Sequence, residues 1–407
     1  MWRMMGPALL FSGAAIGTSH LVQATRAGAM YGLALVGVIL ITFVLKYPAF
    51  RFGVDYGHSM RRSLMAGYRE LGLWAPLLFA LVVIPVIPVI YAALATATAG
   101  ISIAVFDISL SVPMTAILLF GGIGIILLIG GYDWLDGINR VLMVFLVLST
   151  MATTIVVLPS VQWSTLADVE WAADPKAILF VIALAGFMPN PLDVSMTQSM
   201  WTAEAEKRLP EGQGASLSEV RKTFMAGYLV TAILAVCFCI MGAGVMHANA
   251  VTPETSAPGF ANQLIGLYQS ALGEWAAVLA AVAALSVMAT TLFAALDIGG
   301  RHIASAWRRT WGDKRDAAFD RTYRIALPVL VALTGLVLFL FTASFTVMLD
   351  LATSAAFLAA PVIAILNHLV VTRCDMPDEA RPNAATRMLN LVGIAIMLAL
   401  AAAFFLL

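Results

Sequence analysis

The sequence predicts an all-α membrane protein that crosses the bilayer many times. Its 407 residues are 61% hydrophobic and only 11% charged, whereas water-soluble domains carry about 25% charged residues. The apolar residues come in long blocks that are apolar on every side, as lipid-embedded helices are. Lysine and arginine concentrate in alternate gaps between the blocks, the pattern by which membrane proteins set their orientation.

A spanning helix needs roughly 20 apolar residues. Eleven blocks of about that length fall near 6–26, 28–52, 73–99, 113–131, 138–159, 177–200, 222–247, 272–298, 325–342, 345–371 and 388–407. A tight turn near Gly28 is expected between the first two, and another near Thr342–Ser344 between the ninth and tenth. The other gaps read as short polar loops with no room for a soluble domain. With the N-terminus in the cytoplasm of a cell (inner) membrane, the inner segments hold 21 of the 23 basic residues, from Arg3 and Lys46 through Lys314, Arg315 and Arg387. Only Arg26 and Lys176 fall outside, beside an acidic outer loop with Asp168, Glu170 and Asp174. Arg26 at the outer mouth reads as an interface anchor, and Asp297 and Asp350 as solvated or capping residues near helix ends.

A net charge of zero implies no attraction to nucleic acid. The expected partners are the lipid bilayer and a small-molecule or ion substrate. Cys237 and Cys239 lie inside an apolar run, and with Cys374 they form neither a disulfide framework nor a metal-site spacing. No catalytic triad, metal cluster or cofactor motif is visible, so neither an enzyme nor a cofactor is expected. No A-x-A-like cleavage site follows the first apolar run, which argues against a signal peptide.

Two spans look interrupted. The first, GPALLFSGAAIGTSHLVQATRAG, is small and polar in its middle at Gly13, Gly17, Thr18, Ser19 and His20. The sixth, AILFVIALAGFMPNPLDVSMTQSMW, carries Pro189 and Pro191 in mid-span. Proline removes a backbone donor and clashes with the preceding turn, costing about 3 kcal/mol in a helix interior. Each break alone could be a packing or kink feature. Together they open two sets of five helices at the same relative position. Five is odd, so the second set runs inverted. Corresponding interruptions in inverted halves point to a midplane substrate site of secondary transporters.

The residues around the breaks resemble a known family. GPALLFSGAAIGTSH…AGAMYG is similar to the first helix of Nramp divalent-metal transporters, with its Gly-Pro opening, Asp-Pro-Gly-Asn core and Ala-Gly-Ala-x-Tyr-Gly exit. AGFMPNPLDVSMTQS resembles their sixth helix, with its Met-Pro-His-Asn motif, and YDWLDGINRVLMVFLVL their connection from helix four to five. The resemblance covers about residues 6–371. It implies a LeuT-type fold: two inverted five-helix repeats, 1–160 and 175–371, plus an eleventh helix at 388–407.

The flanks match better than the core. The family's metal-binding Asp falls on Gly17, its Pro on Thr18, its Gly on Ser19 and its Asn on His20. Met188 and Pro189 are retained, but the next His and Asn fall on Asn190 and Pro191, and a further His on Ser195. The family's proton-carrying acids on helix three are absent, Tyr91 being the one ionisable group there. Ser354 stands where the family has a Gln on helix ten.

The substrate-binding candidates are therefore Gly17, Thr18, Ser19, His20, Met188, Asn190, Asp193 and Ser354. A dehydrated divalent cation calls for anionic oxygen ligands, and the first helix offers none. Met188, His20 and Asp193 remain as weak metal candidates. Asp193 has two readings. It could be the N3 acid of a half-helix capped by Asn190 with Pro191 at N1, or an intramembrane acid that works on substrate or proton. Thr18 or Ser19 could cap the half-helix after the first break. His20 could contact substrate or simply make one structural hydrogen bond. The expectation is an alternating-access transporter whose cargo is not a bare transition-metal ion. The alternatives are a metal transporter of altered selectivity using Met188 and Asp193, and a non-transporting receptor on the same fold.

Overall fold

A computed structural model describes residues 5–129, 133–208, 214–311, 316–341 and 344–407. The expected basic residues Arg3, Lys314 and Arg315 and the turn at 342–343 lie outside them. The described residues form helices and connecting turns, with no strand. Helix one is α1 (Met5–Ala15), a wide turn at Ser19–Ala24 and α2 (Thr25–Tyr31). There follow α3 (Val36–Met60), α4 (Leu64–Leu71), α5 (Trp74–Val83), α6 (Ile87–Phe106), α7 (Val112–Ile129) and α8 (Asp133–Val157). Helix six is split into α9 (Pro175–Phe187) and α10 (Val194–Arg208). The remainder is α11 (Leu217–Met241), α12 (Ala257–Leu272), α13 (Glu274–Trp311), α14 (Asp316–Leu340), α15 (Phe345–Arg373) and α16 (Ala384–Leu406).

Among the described residues eight helical stretches are long and apolar enough to cross a membrane, and three shorter apolar helices lie at 6–15, 144–160 and 175–187. Those three fall in the first, fifth and sixth expected spans. Aliphatic and aromatic side chains such as Ile41, Leu81, Ile129 and Phe339 stand more than half exposed. Such a surface suits hydrocarbon, and a soluble protein would rarely leave so much apolar area open. Helices keep every backbone bond inside the segment, which lipid demands.

Several local expectations need correction. The turn between the first two spans falls at Gly32, whose φ of 56° is costly for any residue with a Cβ. Gly28 instead lies within α2, where a Cβ would run into the Cys239 carbonyl of α11. The third span bends at Ile84–Val86, around Pro85, and resumes as α6 with Pro88 in its first turn. Not every gap is a simple loop. The short helix α4 packs on α5 and α15, and α12 packs on α6, α8 and α13. Both are too short to span, and α12 is amphipathic, with Phe260, Ala261, Leu264, Leu267 and Tyr268 turned inward.

Three charged side chains also depart from expectation. Lys46 is not an inner-surface cation. It lies well inside α3 and is 1% exposed. Arg26 is not an interface anchor, being buried and paired with Asp350. Asp350, on the first turns of α15, is correspondingly not simply solvated.

Candidate functional site

The two breaks meet at one cavity. Its walls come from helix one (Ala14, Thr18, Ser19), the break in helix six (Phe187, Asn190, Pro191, Asp193, Val194), α6 (Ile87, Ile90, Tyr91, Leu94) and α13 (Thr291, Ala295, Ile298). The atom-free space is about 560 Å³ including its open mouth.

The sequence explains both interruptions. In helix one only Ile16 and Gly17 leave helical geometry before the wide turn begins. Ile16 N–H still reaches the Ser12 carbonyl at 2.9 Å, while Gly17 N–H turns back to Ala15 O at 2.8 Å. In helix six, residues 188–193 are non-helical because Pro189 and Pro191 have no N–H to give.

A broken helix exposes carbonyls at the end of its first half and amides at the start of its second. Here side chains and tight turns take up most of them. The Lys46 amine donates to Ala185 O at 2.5 Å and Gly186 O at 3.0 Å, closing the end of α9. Thr291 donates to Gly13 O at 3.2 Å, and Ser19 Oγ to Ala15 O at 2.6 Å. On the amide side, Val194, Ser195 and Met196 donate to Pro191 O, Leu192 O and Asp193 O at 2.9–3.1 Å. His20 and Leu21 N–H both return to Gly17 O.

The predicted residues divide into two groups. Thr18, Ser19, Asn190 and Asp193 line the cavity. Gly17, His20, Met188 and Ser354 are not among its lining residues. A Cβ on Gly17 would sit 2.7 Å from Thr291 Cγ2. His20 is fully buried, its Nε2 donating to the Thr231 carbonyl at 2.9 Å and its Nδ1 paired with Ser19 Oγ at 2.8 Å. Met188 is fully buried at the end of α9. Ser354 is buried on α15, but it is Thr353 that accepts from Gln23, at 3.3 Å. Thr18 makes no cap bond, and Ser19 closes the first half-helix rather than opening the second.

Asp193 stands immediately before α10, at the N-cap rather than at N3, and Asn190 donates to Phe11 O at 3.3 Å. Asp193 Oδ2 lies 3.4 Å from His302 Nδ1. His302 is fully buried on α13, its other nitrogen paired with Thr197 Oγ1 at 2.8 Å and its ring edge-on to Phe79. Sequence reading missed Lys46, His302, Thr291 and the Arg26–Asp350 pair. A lysine in mid-span was the available signal, since ionisable groups at membrane depth are functional by default.

Ionic layers flank the cavity. On one side Arg26 forks onto Asp350 at 2.6 and 2.9 Å, stacks over Phe180 of α9 and receives help from Gln23. On the other, Arg301 of α13 meets Glu204 of α10 at 3.1 Å, and His58 of α3 meets Glu206 at 2.9 Å. Asp55, fully buried on α3, joins Arg221 of α11 at 2.7 Å. Among the described residues no group of three or more His, Cys, Asp or Glu is placed to hold a metal ion.

No protein-family model matches the chain. An uncharacterized protein of Pasteurella multocida is 32% identical over 395 residues, covering 96% of this chain and 89% of that protein. The fold is similar to that of a manganese transporter of Eremococcus coleocola, with a TM-score of 0.68 at 14% identity, covering 98% of this chain and 85% of the other. It is equally similar to MhsT, solved with L-phenylalanine, with a TM-score of 0.69 at 14% identity over 98% of both chains. Mhp1, a nucleobase-cation-symport-1 family transporter, matches with a TM-score of 0.62 at 12% identity over 98% of this chain and 91% of its own. These are LeuT-type folds. The chain thus has a LeuT-type fold and belongs to the same family as the Pasteurella multocida protein.

Proposed function

We propose that this protein is a secondary transporter that carries a small organic substrate by alternating access around the cavity between the two breaks. The observation that supports this most directly is the cavity itself, walled by both interrupted helices and by α6 and α13. Residues 1–160 and 175–371 act as the two inverted repeats, with 388–407 as an added helix, and the N-terminus faces the cytoplasm. The Arg26–Asp350 pair is then the outer closure, and the contacts of Glu204 and Glu206 the inner one. Opening outward separates α2 from α15. Opening inward separates α10 from α3 and α13.

A bare divalent cation is the poorer cargo for this site. Asp193 is the one carboxylate among the lining residues, and Met188 and His20 are held elsewhere. The end of α9 already carries the Lys46 ammonium. A metal-carrying version needs Met188 to turn into the cavity beside Asp193, which its full burial opposes.

Thiol labelling tests the mechanism. Ile298→Cys places a reactive group on the cavity wall, while the native cysteines are buried. Membrane-impermeant reagents should modify it from either side of a sealed vesicle, and joining Arg26→Cys to Asp350→Cys with a short bifunctional thiol cross-linker should abolish labelling from the outer side only. Access from a single side under all conditions, unaffected by that cross-link, would remove alternating access.

A further inference from the structure

The geometry points to an organic monocation, a protonated amine on an apolar body, as the ligand of this cavity. The inference rests on the transporter reading for its biological meaning but not for its chemistry. It comes from counting which hydrogen-bonding groups the cavity has left. Ser19 uses its hydroxyl hydrogen on Ala15 O or His20, Thr291 on Gly13 O, and Tyr91 on Ala295 O. The first amides of α10 are closed onto 191–193. The hydroxyl hydrogens of Ser19, Thr291 and Tyr91 are therefore taken.

One acceptor is a carboxyl group. The Asp193 side chain is 16% exposed and lines the cavity. No lysine or arginine lines it with Asp193. The Lys46 amine is bound to Ala185 O and Gly186 O rather than to the carboxylate. His302 approaches Asp193 at 3.4 Å with Nδ1 and has no closer hydrogen-bond partner on that nitrogen. Thr18, 1% exposed and lining the cavity, has a hydroxyl with no partner in the protein. A buried hydroxyl left unpaired is unfavourable, and a ligand N–H donor satisfies it. Asn190 keeps a carbonyl oxygen after giving an N–H to Phe11.

The rest of the wall is hydrocarbon: Ile87, Ile90, Leu94, Phe187 and Ile298. An anion would find no lysine or arginine on the wall and would face the Asp193 carboxylate. A neutral apolar molecule would leave Asp193 and Thr18 unpaired. An ammonium group satisfies both, and its apolar body fills the remainder. Charge-assisted hydrogen bonds of this kind are about twice as strong as neutral ones.

Three near-isosteric probes of different charge test this on the purified full-length chain in nanodiscs: phenethylammonium, 2-phenylethanol and phenylacetate, with MnCl₂ alongside. Calorimetry should show binding of phenethylammonium and none of the other three. Asp193→Asn should weaken it by at least about tenfold, Asp193→Glu should retain part of it, and Thr18→Val should weaken it with the fold intact. Binding of phenylacetate or Mn²⁺ in preference to the amine, equal binding of alcohol and amine, or an unaltered Asp193→Asn affinity would each overturn the ligand class. So would no binding of phenethylammonium at millimolar concentration. Counterflow in proteoliposomes separates the two claims. Amine binding lost in Asp193→Asn, but without any counterflow, removes the transporter reading and keeps the ligand class. Counterflow of phenylacetate and not of the amine does the reverse.

Discussion

Lys46→Met keeps an apolar stem of similar length and deletes the charge. In the native structure the ammonium donates to Ala185 O at 2.5 Å and Gly186 O at 3.0 Å, at the open end of the 13-residue α9. Hydrogen bonds involving a charged group contribute roughly 1.5–3 kcal/mol each, and a buried carbonyl left without a donor costs about 1–3 kcal/mol. The negative end of the α9 dipole loses its cation, worth up to about 2 kcal/mol in a partly buried geometry. Against this, an ammonium no longer has to be stripped of water, which recovers several kcal/mol. The first two effects concern the same contacts and cannot simply be added. The net expectation is a loss of about 2–4 kcal/mol, concentrated at the break in helix six. Lys46→Arg should fall between wild type and Lys46→Met, because it keeps the charge with a wider head. Thermal unfolding in one detergent, read for all three proteins, measures the order. A small cation such as Na⁺ or Li⁺ should partly restore Lys46→Met by occupying the vacated carbonyls and should leave wild type unchanged. Lys46→Met unfolding at the wild-type temperature, with no response to cations, would refute the idea that Lys46 closes α9.

Asp350→Asn leaves the buried Arg26 guanidinium without its counter-charge, facing Gln23, Phe180 and a neutral amide oxygen. Because Asp350 is 35% exposed and solvent screens the pair, the cost is about 1–2 kcal/mol, and labelling of Ile298→Cys from the outer side should speed up. The double change Gly17→Asp with His20→Asn restores the first-helix ligands that the Nramp resemblance implies, yet it should create no Mn²⁺ site by calorimetry. The new Asp would press on Thr291, and position 20 faces the Thr231 carbonyl. Ser216→Ala removes the capping box in which Ser216 and Glu219 serve the first turn of α11. It should cost about 1 kcal/mol in thermal unfolding, with labelling of the cavity wall unchanged.

Much of this architecture is local and was therefore legible in the sequence. Apolar length sets the spans, because lipid offers the backbone no partner. Pro189 and Pro191 break helix six through their missing amides, and the polar, glycine-containing middle of helix one marks the other break. Asp193 stood out as a charge at membrane depth. The pairing of these elements was not local. Lys46 meets its carbonyls across 139 positions of sequence, and Arg26 meets Asp350 across 324. Nothing along the chain separates a lysine that closes a helix end from one that anchors at the membrane surface.

Sequence by itself determined the fold class, the two breaks and four of the cavity's lining residues. Helix periodicity and helix breaking are properties of a residue and its near neighbours. Tertiary structure alone decided which way the polar groups at the breaks face. It turned His20 away onto Thr231 and brought His302 to Asp193. It also gave the helix ends to Thr291 and Lys46. The physical reason is that a buried polar group takes whatever partner the packing brings within about 3 Å. That choice is made by helices far apart in the chain.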